Sequence, residues 1–289
     1  MKKLLVLGVI MLSVFLTGCQ SSQGNGDNSG SKKGILVISF GTSYAKTRKA
    51  TIGACEKKIK KAFPGYEIRR AFTSNIIIKI LKERDKIFID TPGEALEKMS
   101  REGFSEVIIQ PLHVIAGEEY TEKVLTAASS YKNRFKKLAV GRPILVKDND
   151  YEKAVKAVST QLPSVKEGEG VILMGHGTHH PANSSYAKIQ KYFDDAKLGV
   201  YVGTVEASPD LNDVISALER DKIKKVTLMP FMVVAGDHAS NDMAGDEDDS
   251  WKTILEKKGY EVKIYLHGLG ENKEIQNIYV NHVRDAINK

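Results

Sequence analysis

From position 34 onward the chain settles into a regular alternation of short apolar runs and longer segments of helical spacing. The first run, 35–40 (ILVISF), is continuously apolar and is closed by Gly41-Thr42. A strand covered on both faces has no polar side to show, so this pattern reads as a buried strand of a parallel sheet. Helical spacing follows over 45–62 and stops near Pro64-Gly65. Further strands are expected at 66–72, 107–110 and 138–144, and helices at 74–82, 92–102 and 121–135. At Thr91-Pro92 a hydroxyl precedes a residue that needs no N–H partner, which marks a helix start.

The alternation then restarts. Strands are expected at 170–174, 200–205, 226–229 and 261–266, with helices at 185–195, 209–220, 253–258 and 272–288. Strands interleaved with helices predict an α/β fold, a mostly parallel sheet flanked by helices.

The two halves also repeat each other. Residues 34–42 (GILVISFGT) lie over 170–178 (GVILMGHGT), and 107–118 (VIIQPLHVIAGE) over 226–237 (VTLMPFMVVAGD), in the same order. Shared proline and Val-Ala-Gly or Ile-Ala-Gly positions exceed what buried strands share by composition alone. Two similar α/β lobes are therefore expected, 34–144 and 145–289, with a cleft between them. Ligands of open parallel sheets gather at the carboxyl ends of strands, and both repeated motifs are strand ends.

Ahead of the lobes the chain has a different character. Lys2 and Lys3 precede an apolar run at 4–16 that ends in Leu16-Thr17-Gly18-Cys19. The run is shorter than the roughly 20 apolar residues of a membrane span, and its layout is that of a secretory signal, 1–18. A cysteine directly after Leu-Thr-Gly resembles a bacterial lipobox, which implies lipidation of Cys19. Residues 19–33 are rich in Ser, Gly, Asn and Gln and read as a flexible tether. Together these place the protein, as an expectation, on the extracytoplasmic face of the cell membrane, held by lipid.

Composition narrows the chemistry. With Cys19 lipidated, Cys55 is the one remaining thiol of the two cysteines, so no disulfide forms and no metal site can rest on paired thiolates. Cys55 falls in a helix and reads as a packed residue. The formal charge of +7 includes the two leader lysines, and no Arg-rich stripe with interleaved aromatics appears, which argues against nucleic acid as a partner. The Gly41-Thr42-Ser43 loop lacks a Walker pattern, so no nucleotide is expected.

The chemistry sits where the repeats differ. The second lobe has Gly175-His176-Gly177 where the first has Ser39-Phe40-Gly41, and Gly236-Asp237-His238 where the first has Gly117-Glu118-Glu119. Flanking glycines are read as leaving room for close approach to His176. Glu206 follows the strand between those two. Two histidines and a carboxylate at three strand ends form a three-ligand site with an open position, suited to Co(II), Fe(II), Ni(II) or Zn(II). Taken singly, each also reads as a hydrogen-bonded structural group, and the histidine pair as an acid/base couple. His179, in the loop after His176, is a candidate for lining the cleft. His113, on the first lobe's rim, either faces a substrate from the opposite side or packs against Pro111. The acidic run from Asp242 to Asp249 reads as a solvated helix start, or as a weak ramp for cations.

These residues resemble a known family. The segments 175–183 (GHGTHHPAN) and 230–239 (PFMVVAGDHA) with Asn241-Asp242, together with 38–43 (ISFGTS) and 110–113 (QPLH), look like the anaerobic sirohydrochlorin cobaltochelatases. The resemblance runs from Gly34 to the C-terminus. It implies two chelatase-like lobes, a tetrapyrrole cleft, and a metal held by His176, Glu206 and His238. It further implies insertion of Co(II) into sirohydrochlorin on the way to cobalamin, without ATP, with Fe(II) or Ni(II) as other candidate ions. His176 is then metal ligand and principal base, and His238 the second catalytic histidine. Gly41, Thr42, Ser43, His113 and His179 would meet the substrate, helped by basic residues such as Arg48. The leader adds a second reading, a lipoprotein that binds haem, another tetrapyrrole or metal and feeds an importer. A homo-oligomer is compatible with either.

Overall fold

The computed structural model describes residues 32–289. The expected signal, Cys19 and all but the end of the tether lie outside the described residues. Lys32 and Lys33, expected at the tether's end, are the first residues of β1 (Lys32–Ser39).

In the first lobe β1 leads to α1 (Ala45–Ala50), α2 (Ile52–Ala62), β2 (Glu67–Phe72), α3 (Asn75–Asp85), α4 (Pro92–Arg101), β3 (Phe104–Pro111), α5 (Thr126–Tyr131) and β4 (Lys137–Val140). The second half contains α6 (Asp148–Ser159), β5 (Glu169–Gly175), α7 (Ser184–Asp195), β6 (Val200–Thr204), α8 (Leu211–Arg220), β7 (Lys225–Pro230), α9 (Trp251–Lys257), β8 (Glu261–Ile264) and α10 (Lys273–Ile287). Two four-stranded sheets result, ordered β2-β1-β3-β4 and β6-β5-β7-β8, with every pairing parallel. The expected α/β fold of two similar lobes is what the chain forms. The repeat holds at residue level: Ser39 pairs with Phe72 at the end of one sheet as Gly175 pairs with Thr204 at the end of the other.

Several boundaries differ from the periodicity. The single helix expected over 45–62 is broken at Thr51, which is buried and hydrogen-bonds back to the Thr47 carbonyl. The break lets the backbone at Gly270 come so close that a Cβ there would stand 2.9 Å from that of Thr51. The helix expected over 121–135 is a π-turn (Glu119–Leu125), then α5, then a short 3₁₀ turn. The second lobe repeats the π-turn at the matching place, Ala239–Met243. β4 stops at Val140, and only Leu145 of the following stretch bridges again, to Ile115.

α6 falls in a stretch with no expected element. It buries Tyr151, Ala154, Val155 and Val158, a helical stripe. α10, the last element of the chain, does not stay with the second sheet: it packs on α2, β3, β4 and α6. One core cluster accordingly runs through both halves, joining Ile35, Val37 and Ile59 to Tyr279 and Val283, and on to Val171, Leu173 and Phe193. Separate clusters line the outer faces of each sheet. Both cleft rims are thus set by one packed body.

Candidate metal centre

Three loops at the carboxyl ends of β5, β6 and β7 build the site. His176 follows β5 directly, between two glycines that have a packing role. A Cβ on Gly175 would stand 2.4 Å from the Tyr186 ring, and one on Gly177 would meet Thr204 Oγ1 at 2.8 Å and the Ala207 nitrogen at 3.0 Å. Gly177 also has φ +85°, a left-handed conformation that disfavours side chains. So the space beside His176 is filled by the protein, and not left for a ligand as expected. Tyr186 lies under this loop, and burial pushes its hydroxyl up to about 12.

Glu206 is placed by the same turn. The Val205 and Glu206 N–H groups both donate to the His176 carbonyl, at 3.1 and 2.9 Å, so the Glu206 backbone is tied to the His176 loop. His238 opens the second π-turn, whose Ala239 and Met243 are fully buried and anchor it. π-turns of this kind are frequent at functional sites.

The three side chains converge. One ligand atom from each of His176, Glu206 and His238 lies within 4.8 Å of the others. The imidazole rings stand edge to face with centroids 4.6 Å apart. His176 Nδ1 lies 2.9 Å from the Gly177 carbonyl and 3.4 Å from Glu206 Oε2, both acceptors. The side chains of His176 and Glu206 are 42% and 48% exposed, so an ion could reach them and leave. A closed structural zinc site would bury its ligands.

Other expected residues fall elsewhere. Thr42 is buried; its carbonyl accepts from Arg48 at 2.9 Å, and the Ser43 carbonyl accepts from Arg84 at 2.7 Å. Arg48 is itself buried, and desolvation lowers its pKa. It braces the Gly41-Thr42-Ser43 loop and offers no free cation to a substrate, which corrects the expectation for Arg48. Gly41 has φ +99°, and a Cβ there would strike Phe72. His179 is exposed, while His180 caps the next turn by accepting from the Ala182 N–H at 3.1 Å. Both ring nitrogens of His113 are buried without hydrogen-bond partners, and desolvation lowers its pKa to about 4. Cys55 is packed, its thiol pushed up to about 12 by burial.

Three features escaped the sequence reading. Asp242, read as part of an acidic run, accepts from His238 Nδ1 at 2.5 Å; its signal was the four-residue spacing. Asp246 and Asp248 pair instead with Lys252 and Lys257. Across the cleft Phe40, which holds the place of His176 in the repeat, is 49% exposed, and Tyr44 is 44% exposed. Tyr44 also reaches over to Asp237 Oδ1 at 3.3 Å, the residue before His238. The lobes approach in matched pairs here: a Cβ on Gly117 would meet Thr178, and one on Gly236 would meet Thr42.

Two parallel α/β lobes with a His-Glu-His cluster on one rim have the architecture of the tetrapyrrole chelatases. The chain is similar in fold to SirB from Bacillus subtilis with Fe3+ (TM-score 0.61, 20% identity, 88% of this chain and 95% of that one). It is likewise similar to the sirohydrochlorin chelatase SirB from Bacillus subtilis subspecies spizizenii in complex with cobalt (TM-score 0.59, 19% identity, 89% and 96%). The family described as Cobalt chelatase (CbiK) matches residues 33–288, and the chain belongs to that family. Among its relatives, the sirohydrochlorin cobaltochelatase of Salmonella typhimurium strain LT2 is 42% identical over 257 residues, 89% of this chain and 97% of the relative. The sirohydrochlorin cobaltochelatase CbiKC of Nitratidesulfovibrio vulgaris strain Hildenborough is 34% identical over 258 residues, 89% and 91%.

Proposed function

We propose that the protein inserts Co(II) into sirohydrochlorin, without a nucleotide, in anaerobic cobalamin synthesis. Family membership and the two relatives support the reaction. The observation that carries it to particular residues is the convergence of His176, Glu206 and His238 within 4.8 Å. Metallation exchanges one dication for two pyrrole N–H protons, so the site must hold a cation, release it, and accept protons.

His176, His238 and Glu206 are the metal ligands in this reading. None is buried, which favours transfer over permanent retention. As ring nitrogens of the tetrapyrrole take over the ion, the freed imidazole of His176 becomes a base within reach of the macrocycle. A neutral imidazole can serve in turn as metal ligand and as proton acceptor. On the opposite rim the exposed faces of Phe40 and Tyr44 supply an apolar platform for a flat ring system. The Gly41-Thr42-Ser43 loop and the exposed His179 complete the substrate's surroundings in this reading, while the buried ring nitrogens of His113 lie behind the rim.

A second reading rests on the leader. A lipid on Cys19 would hold the domain at the extracytoplasmic membrane face, where capture of a tetrapyrrole or metal for an importer would use the same cleft. Fe(II) and Ni(II) are alternative ions.

One assay separates these readings. The full chain is mixed with sirohydrochlorin and Co(II), Fe(II) or Ni(II) in turn, and the tetrapyrrole absorbance is followed. Fastest insertion of Co(II), reduced at least about a hundredfold by His176→Ala, is expected for an enzyme whose base is lost. Tight tetrapyrrole binding with no acceleration of insertion would overturn the enzyme reading in favour of the carrier.

A further inference from the structure

His238 does not act alone. Its Nδ1 lies 2.5 Å from Asp242 Oδ2, four residues on. The π-turn fixes this pair from behind: Ala239 and Met243, one position further along, are both fully buried in the second lobe's outer core. With those two pointing inward, His238 and Asp242 share the outer side and remain partly exposed. The backbone positions of the pair are therefore set by buried neighbours, while both side chains stay partly exposed.

We infer that Asp242 is a positioning residue for metal delivery: it accepts the Nδ1–H of His238 and so presents the Nε2 lone pair toward His176 and Glu206. This rests on the reading of His238 as a metal ligand. The chemistry is specific. A neutral imidazole carries one ring proton, and only the other nitrogen can bind a metal. A carboxylate accepts and cannot donate, so it selects the tautomer with the proton on Nδ1. It also fixes the ring plane and makes Nε2 a better donor to a cation.

His176 is oriented by a different device. Its Nδ1 faces the Gly177 carbonyl at 2.9 Å, a neutral acceptor of the backbone. The Glu206 carboxylate lies farther from that nitrogen, at 3.4 Å, and is itself one of the converging groups, whereas Asp242 stands outside the converging set. Loss of Asp242 should affect His238 and leave His176 as it is. The first lobe's π-turn, with Glu119 in the place of His238, has Lys123 in the place of Asp242, so this orienting carboxylate is confined to the rim that carries the histidines.

The test uses the full chain and Co(II) chloride alone. Co(II) binding is titrated by visible absorption, and the His238 tautomer is read from ring nitrogen-15 shifts in the metal-free protein. In the native chain His238 should carry its proton on Nδ1. Asp242→Ala should shift the proton toward Nε2 and weaken Co(II) binding by about 10- to 100-fold, the range seen when such outer carboxylates are lost. His176 shifts should not change. Asp242→Asn, whose amide can donate to Nδ1, serves as a second variant and should weaken binding at least as much. His238→Ala separates the two levels. If it binds Co(II) like the native chain, the ligand assignment itself is wrong. If it loses binding while both Asp242 variants keep native affinity and an Nδ1 proton, Asp242 has no positioning role.

Discussion

Gly177 shows how much of the site depends on a residue with no side chain. Its φ of +85° is unfavourable for any L-residue by about 1–2 kcal/mol. Beyond that, a methyl group would press on Thr204 Oγ1 and on the Ala207 nitrogen, which belong to the turn carrying Glu206. Backbone cannot swing aside as a flexible side chain can. Gly177→Ala should therefore lower stability by at least about 1–2 kcal/mol in urea unfolding. It should also weaken Co(II) binding, because the Glu206 N–H hydrogen bond to the His176 carbonyl would be displaced. Native Co(II) affinity in this variant would show that the turn and the site are uncoupled. The sequence made these glycines visible, but it attributed them to ligand access. Only the packing partners, Tyr186 and Thr204, reveal that the protein itself occupies that space.

Elements were legible where burial acts on one segment at a time. The apolar runs identified β1, β3, β5 and β7, the repeat placed His176 and His238 at two strand ends, and Glu206 was read from its place after the strand between them. Long-range packing was not legible. The break at Thr51 answers to Gly270, far along the chain, and α6 owes its place to α7 and α10. The clearest case is Asp150 at the start of α6, fully buried and bound to Arg142 through two hydrogen bonds of 2.9 Å. His282 of α10 has Nε2 3.6 Å from the same carboxylate, and its Nδ1–H donates to the Arg142 carbonyl at 2.9 Å. Desolvation alone would raise the Asp150 pKa, but His282, Arg142 and the Lys147 N–H hold it well below the ordinary carboxylate range. A carboxyl with a depressed folded pKa gives stability that is present above its unfolded pKa, about 3.9, and lost as pH falls below it. Asp150→Ala should cost about 3–5 kcal/mol at neutral pH, since Arg142 and His282 would be left without their buried partner. The deficit relative to the native chain should shrink as the native protein is acidified below pH 4. A constant deficit across that range would refute the linkage.

At the scale of the whole molecule the two lobes are alike in fold and unlike in chemistry. One rim offers His176, Glu206 and His238; the other, at the matching position, offers the exposed ring of Phe40 beside Tyr44. The halves share a continuous core through α6 and α10, and Tyr44 and Asp237 touch across the cleft. Under the proposed function two substrates are brought together, and the asymmetry supports placing the ion on the second lobe and the flat apolar face of the macrocycle on the first. Phe40→Ala separates the two assignments. Removing the ring takes away an aromatic contact worth about 0.5–1.5 kcal/mol, so the KM for the tetrapyrrole should rise by about two- to twelvefold. Co(II) binding measured without tetrapyrrole should be unchanged, since Phe40 is not among the converging ligands. His176→Ala should give the opposite profile, with Co(II) binding lost and tetrapyrrole binding retained. Equal effects of Phe40→Ala on both substrates would mean that the ring supports the closed arrangement of the lobes through Tyr44 and Asp237, and the division of labour between the rims would then fail.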